Sequence, residues 1–374
     1  MKILRAFKTE LDLNNQQRSA CMRHAGTARF AYNWGLERKI TAYQAGEKTP
    51  AAIDLHRELN RLKKTELSWM YAVSKCAPQE ALRDLDRAFA HFFCRVKEKK
   101  SGKNIKVGLP RFKSKKQGLG SFRLTGAIRV FEKAIQLARL GRLRLKERDY
   151  LPTSAVHILN ATVSQRAGGW FVSLQVEMEI PDPAMEEKPV AGVDLGINRM
   201  AQVSDGIYFE NPRALKNTQT KLKRLQRVVS RRQKGSANHQ KVVRQLAKTH
   251  ARVANIRKNA LHQATTYLTK TKSASVLEDL NVSGMMQNHH LAQSIADVGL
   301  HEFRRQLQYK GPWYGCEIFL ADRFFPSSKQ CSRCGAVKDS LGLDQRTYHC
   351  EHCRLVIDRD WNAAIHLEQL LTVS

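Results

Sequence analysis

Val190-Ala191-Gly192-Val193-Asp194-Leu195-Gly196 is the stretch whose reading decides the fold. An apolar run of strand type delivers one acid between two glycines, and burying that carboxylate is costly unless a metal or a donor meets it. Residues 200–203 and 207–209 then flank Asp205-Gly206, a dipeptide that predicts a hairpin closed by a type I′ turn.

Downstream, residues 211–277 hold seventeen Lys and Arg and no Asp or Glu. Periodicity predicts basic helices over residues 215–272, broken at Gly235-Ser236. Leu222, Leu225 and Val229 form one apolar stripe, and Leu246, Val253 and Ile256 another, with the cationic faces opposite. Residues 274–277 read as a short strand ending at Glu278, and a last helix is expected from about residue 361 to 370, just after Asp360. A strand that carries an acid into a hairpin is how RNase H-like folds begin. Carboxylates in so cationic a chain are of no use for binding phosphate by charge, but they suit a site that holds divalent metal against a polyanion.

Each acid also has a plainer reading. Asp360 stands where a helix N-cap would, and Glu278 where a solvated strand end would. Asp194 is the hardest of the three to assign to structure alone. Asp205 is accounted for by its turn, and strand alternation turns Asp279 away from Glu278. Asp358 shares a face with Asp360 if extended, which makes it the runner-up.

Composition points the same way. The chain has 374 residues, enough for two or three domains, and 42% hydrophobic content is ordinary for a protein that buries real cores. A net charge of +30 repels itself in a folded chain unless a polyanion is bound, so nucleic acid is the expected partner and a membrane surface the weaker alternative. No window approaches the roughly eighteen apolar residues of a membrane span. Met1-Lys2-Ile3-Leu4-Arg5 lacks the apolar core of a secretory signal, so a cytoplasmic protein is expected.

Four of the eight cysteines form two pairs, Cys331-Ser-Arg-Cys334 and Cys350-Glu-His-Cys353, separated by fifteen residues. That spacing is of zinc-ribbon type, and four thiolates close the tetrahedron of a structural ion. A redox dithiol is the alternative, and His349 or His352 could each replace a cysteine as ligand. Cys21, Cys76, Cys94 and Cys316 read as inert buried thiols.

In the N-terminal half, residues 2–9 alternate like a half-buried strand and helices follow to about residue 100. The clearest covers residues 79–97, where Leu82, Leu85, Phe89, Phe92 or Phe93, and Val96 make one buried stripe, with Pro78 in the first turn. Residues 99–123 read as a basic, Gly- and Pro-punctuated loop. Alternating runs at 128–131, 134–137, 143–145, 161–164 and 170–177 favour a small all-β barrel that can include the N-terminal strand. Pro181-Asp182-Pro183 is the linker to the rest.

Taken in order, Gly192-Val-Asp-Leu-Gly-Ile197, Leu277-Glu-Asp-Leu280, Phe325-Pro-Ser-Ser-Lys-Gln-Cys-Ser-Arg-Cys-Gly335 and Asp358-Arg-Asp-Trp-Asn-Ala-Ala364 resemble the TnpB family. These are OrfB-type proteins of bacterial insertion-sequence transposons and relatives of type V CRISPR effectors. Ala28-Arg-Phe-Ala-Tyr-Asn33 and Leu109-Pro-Arg-Phe-Lys113 resemble the family's N-terminal half, so the resemblance covers nearly the whole chain.

The resemblance implies a multidomain α+β protein. Residues 1–15 would be the first strand of a wedge barrel, 16–104 a helical recognition lobe and 105–186 the wedge β-barrel. Residues 187–374 would form a RuvC nuclease domain of RNase H-like α/β fold, with an inserted zinc ribbon at about 326–357. It further implies an RNA-guided DNA endonuclease, one monomer per guide RNA. The guide would be made from the transposon end, and double-stranded target DNA would be cut beside a short transposon-adjacent motif, supporting transposon maintenance.

The family's catalytic Asp, Glu and Asp fall on Asp194, Glu278 and Asp360, which would bind two Mg²⁺ about 3.5–4 Å apart; its zinc cysteines fall on Cys331, Cys334, Cys350 and Cys353. Lys75, Gln79 and Thr125 match its motif-reading positions, although Pro78 between the first two would set them on different faces. The basic helices, with Lys223, Arg224, Arg227, Arg231 and Arg232, are expected on RNA or heteroduplex phosphates. Arg354 stands where the second knuckle usually has glycine, and Ala138 where proline is common. Relatives that have lost the acids act as guided repressors, so a non-cleaving guided binder is one competing reading and a guide-independent transposase the other. The intact triad favours cleavage, and no Tyr or Ser nucleophile motif suggests strand transfer.

Overall fold

The computed structural model of the chain describes every residue except 116, 117, 119, 155, 184–186, 324, 343, 344, 373 and 374, and the side chain of Thr372. The chain divides into two compact units, Met1–Glu179 and Ile180–Ser374.

The first unit joins a helical layer to an antiparallel sheet. Strand β1 (Lys2–Asp12) leads into α1 (Asn15–Gln44), α2 (Ala52–Leu62) and α3 (Cys76–Lys100). Asn14 and Gln17 cap the start of α1 reciprocally, side chain to backbone in both directions. Strands β2 (Ser121–Leu124), β3 (Arg129–Phe131), β4 (Ala134–Leu137), β5 (Gly141–Leu145), β6 (Val156–Arg166) and β7 (Gly169–Glu179) complete a seven-stranded sheet in the order β2-β6-β7-β1-β5-β4-β3. Its edges β2 and β3 are not paired with each other among the described residues. The N-terminal strand sits between β7 and β5, and Phe7, Leu11, Ile135, Leu143, Val163, Val172 and Leu174 share one core with Leu36, Leu82 and Leu85 of the helices.

Two expectations change here. Residues 121–123, the end of the expected loop, are already in strand β2, because Phe122 and Leu124 alternate inward against β6. The apolar stripe of α3 is buried only in its first half; Leu82 and Leu85 are sealed, while Phe93 and Cys94 lie on the exposed last turns, so Cys94 is not a buried thiol.

The second unit is built on a five-stranded mixed sheet. Strands β8 (Ala191–Asp194), β9 (Arg199–Val203) and β10 (Tyr208–Glu210) precede the basic helices α4 (Ala214–Arg231) and α5 (Ala237–Thr271). Then come β11 (Ala274–Glu278), α6 (Val282–Met285), α7 (Ala292–Val298), α8 (Leu300–Tyr314) and β12 (Glu317–Ala321), followed by the β13 (Thr347–His349) and β14 (Val356–Asp358) pair and α9 (Arg359–Thr372). The order is β10-β9-β8-β11-β12, with β11 parallel to both β8 and β12.

Alternation decides what each face meets. Ala191, Val193 and Leu277 pack with Leu261, Leu268, Phe303 and Leu307 of α5 and α8. Val276 packs with Leu367 of α9 on the other face. Residues of β8 are buried throughout, as parallel strands covered on both faces must be.

Gly192 is what lets α9 come so close. A Cβ built there would lie 1.9 Å from the Ala364 carbonyl oxygen and 2.4 Å from the Glu368 nitrogen, both backbone atoms that cannot step aside. Gly192→Ala is therefore expected to lift α9 from the sheet at a cost of roughly 3 kcal/mol, a fall of about 10 °C in melting midpoint. A thermal melt of the variant checks this, and an unchanged midpoint would contradict the close packing.

The hairpin after β9 also departs from expectation. Gly206 has φ +89°, Asp205 is not in the left-handed region, and the Gly206 and Val203 amides donate to the carbonyls of Val203 and Ile207. A type I′ turn needs positive φ at both central residues, so this is instead a three-residue loop over 204–206 with a left-handed glycine at its end. Asp205 accepts from the Ile207 amide and pairs with buried Lys272 at 2.7 Å, which accounts for an acid in the loop. In α5, Val253 is buried but Ile256 is 38% exposed, so the second apolar stripe is narrower than its spacing suggests.

Candidate metal and nucleic-acid site

Asp194 and Glu278 end neighbouring parallel strands, one residue beyond the paired Val193 and Leu277. By alternation Asp194 shares the face of Gly192, and Glu278 that of Val276, which is the face α9 covers. Asp360 lies in the first turn of α9. The cap of that helix is Asp358, whose Oδ1 accepts from the Asp360 and Trp361 amides at 3.0 and 3.1 Å. The capping role expected as the plain alternative for Asp360 therefore belongs to Asp358, and the Asp360 carboxyl is left for other work. Trp361 Nε1 donates to the Ser204 carbonyl oxygen at 2.8 Å, and the Ser204 hydroxyl accepts from the Gly192 amide, so the helix start is tied to β8.

The three carboxyls feel one another. Burial, then Glu278, then Asp360 push the Asp194 carboxyl well above the usual carboxylate range. Burial raises Glu278 as well, against a hydrogen bond from the Ser327 hydroxyl and the nearby Arg359 charge. Asp360 is raised by burial and by Asp358. Asp194 is buried and Glu278 and Asp360 are half-buried, and crowded carboxyls of this kind are a donor set that fits a divalent cation. Among the described residues, the ligand group compact enough to hold a single ion is that of the four cysteines. Asp279 points elsewhere, held by Arg304 and Arg323.

The cysteines do form one compact group. Their sulfurs lie within 4.8 Å of one another, with Cys331 and Cys353 at 3.6 Å and Cys334 and Cys350 at 3.5 Å. Backbone amides of Cys353 and His352 pull the Cys350 thiol down to about 6, while burial pushes the Cys353 thiol up to about 12. Four soft donors at this spacing suit zinc, and His349 and His352 are exposed outside the group.

The knuckles differ in one respect. Gly335 after Cys334 has φ +75°, while the matching residue after Cys353 is Arg354 at φ +57°. A side chain in the left-handed region costs about 1–2 kcal/mol, so Arg354→Gly is expected to slow metal loss from the ribbon. Release of zinc to a chromogenic chelator measures it; equal or faster release would refute the strain.

Among the expected nucleic-acid contacts, Lys75 and Gln79 share a face, contrary to the expectation from Pro78. The proline sits in the first turn of α3, and the Gln79 amide still reaches the Lys75 carbonyl at 3.4 Å. Thr125 meets the same turn, its hydroxyl 3.5 Å from Cys76 Sγ. Lys223, Arg224, Arg227, Arg231 and Arg232 are all exposed along and just after α4, and none forms an ion pair among the described residues. Leu222 and Leu225 hold the opposite side of that helix against α5. Sequence reading missed Ser327, the buried hydroxyl on Glu278, and Asp297, which caps the first amides of α4 and binds Arg257 at 3.0 Å. Ser327 lies in the Phe325-Pro-Ser-Ser-Lys stretch, a signal that can be found; Asp297 carries no local signal.

An α/β sheet with acids at its strand ends, followed by a four-cysteine ribbon and a closing helix, defines the class. Residues 173–289 match a family profile described as "Probable transposase", of OrfB/IS605 type; residues 301–367 match "Cas12f1-like, TNB domain", and residues 1–48 "Helix-turn-helix domain". The chain is 35% identical over 97% of its length to "Putative RNA-guided DNA endonuclease" of Streptomyces pristinaespiralis, covering 88% of that protein. It is 33% identical over 97% to "Putative RNA-guided DNA endonuclease InsQ" of Escherichia coli (strain K12), covering 91%. Its fold is similar to that in "Structure of the mini-RNA-guided endonuclease CRISPR-Cas_phi3", with TM-score 0.51, 8% identity, and coverage of 100% of this chain and 93% of that one. The chain belongs to the TnpB family, of OrfB type. No helix among the described residues is long and apolar enough to cross a membrane.

Proposed function

We propose that the protein is an RNA-guided, divalent-metal-dependent DNA endonuclease of an insertion-sequence transposon. The relatives' names support this reading, and one observation carries it: Asp194 and Glu278 end adjacent strands on the face that α9, with Asp360, covers. These acids would hold Mg²⁺, which when bound activates water and stabilises the leaving oxygen of a phosphodiester. Ser327 fixes one oxygen of Glu278, and Arg359 favours the ionised form of Asp194 and Glu278. The exposed bases Lys223, Arg224, Arg227, Arg231 and Arg232 bind backbone phosphate of the guide RNA or its heteroduplex, a charge-based contact that leaves sequence to base pairing. Lys75, Gln79 and Thr125, grouped at one helix start, read the adjacent motif. Cys331, Cys334, Cys350 and Cys353 hold a structural zinc.

In this reading the first unit supplies the wedge barrel and recognition lobe, and the second the RuvC domain with its ribbon. One monomer serves each guide, in the cytoplasm. The test is to purify the ribonucleoprotein, sequence the RNA it carries and incubate it with matched double-stranded DNA and Mg²⁺. A discrete RNA from the transposon end and guide-dependent double-strand cutting are expected. Guided binding without cutting would make it a repressor, and strand-transfer products without a guide would make it a transposase.

A further inference from the structure

The ribbon is fastened to two of the three acid-bearing elements, α9 and β11. Asn362, two residues after Asp360 on α9, is fully buried; its Nδ2 donates to the Gln330 carbonyl oxygen at 2.7 Å and its Oδ1 accepts from the Ser332 amide at 3.0 Å. One side chain thus holds both sides of Cys331. Gln369 Nε2 donates to the Ser332 carbonyl at 2.8 Å, and the Phe325 ring lies against His366 at 4.9 Å, so the ribbon's lead-in runs along α9. The same lead-in carries Ser327, 3% exposed, whose hydroxyl donates to Glu278 Oε1 and leaves Oε2 for a cation. Amides of Lys329 and Gln330 donate to the Pro326 carbonyl at 3.0 and 3.1 Å, so only one tight turn separates Ser327 from Cys331.

We propose that Ser327 and Asn362 are positioning residues that couple the four-cysteine knuckle to Glu278 and Asp360, so that zinc in the ribbon sets the divalent-cation affinity of the acid cluster. The proposal rests on the reading of Asp194, Glu278 and Asp360 as cation ligands. With zinc bound, the Cys331 knuckle is fixed; the Ser327 bond then holds the Glu278 carboxyl, and the Asn362 bonds hold the start of α9, which carries Asp360. Without it, the knuckle loses its shape and both bonds lose their anchor. Hydrogen-bonded supports of metal ligands typically change affinity by about 10–100-fold when removed.

The test uses the full-length chain free of nucleic acid, with Mn²⁺ as probe followed by electron paramagnetic resonance. The Mn²⁺ binding that Asp194→Asn abolishes defines the acid cluster. Removing zinc is expected to weaken that binding by about tenfold, Ser327→Ala to do the same, and Ser327→Thr, which keeps the hydroxyl, to restore it. Zinc removal and Ser327→Ala together should weaken it no more than zinc removal alone, since the Ser327 bond is already lost without zinc. Asn362→Ala should behave like zinc removal while zinc content, measured separately, is retained. Unchanged Mn²⁺ affinity after zinc removal, or fully additive effects of zinc removal and Ser327→Ala, would overturn the coupling. If wild type and Asp194→Asn bind Mn²⁺ alike, the reading of the acids fails instead.

Discussion

Asp194→Asn is expected to lower target cleavage by on the order of 10³-fold or more, leave guided target binding unchanged, and make the protein more stable in Mg²⁺-free buffer at neutral pH. The first effect follows from the proposed role of Asp194 as a cation ligand. The last follows from the same burial that makes the site useful. Asp194 is raised by burial and by Glu278 and Asp360, so between the ordinary carboxylate pKa and its raised value the folded chain binds more protons than the unfolded one. Stability contributed by that proton is complete below the unfolded pKa and falls as pH rises through the folded one. Asparagine cannot ionise, so the variant escapes that loss. Melts at pH 5 and pH 7.5 should find wild type losing more stability between them than the variant. Full cleavage, or an equal pH dependence, would contradict the assignment.

The second large effect is expected at the ribbon. Cys350→Ser should empty the site of zinc and unfold the segment around residues 326–357. Its own core is small: among the described residues, Tyr348 is the one large side chain sealed there, beside Cys331 and Cys350. One sealed ring and two sulfurs, with Leu341, Leu355 and Ile357 only partly buried against them, fall short of the roughly 10–16 kcal/mol that structural zinc supplies to small finger domains. Metal analysis and limited proteolysis check this, with cleavage sites appearing between Cys331 and Cys353 in the variant alone. Retained zinc and an unchanged digestion pattern would mean the four sulfurs are not a metal site.

Much of the second unit was legible because its signals are local. Asp194 sits at the end of an apolar run, Glu278 at the end of another, and the cysteine pairs need only counting. The acid-free basic segment is a pair of helices whose break falls at Gly235 and Ser236, the latter capping α5. What was not legible depends on partners distant in sequence. The role of Gly192 is set by Ala364 and Glu368, not by its own torsion. The capping of α9 turned on which of two nearby acids points back at the amides, and Ser327 needed Glu278 beside it, forty-nine residues away. Phe93 and Ile256 follow an apolar period that the fold covers only in part, since a stripe says which face is apolar and not how far it is covered.

The most direct measurement is a structure of the guided complex on target DNA soaked with Mn²⁺, with the ions located by anomalous scattering. The account predicts ions at the scissile phosphate, ligated by Asp194, Glu278 and Asp360 and about 3.5–4 Å apart if two are bound. Cut DNA in a complex whose ions lie away from these three carboxylates would contradict it.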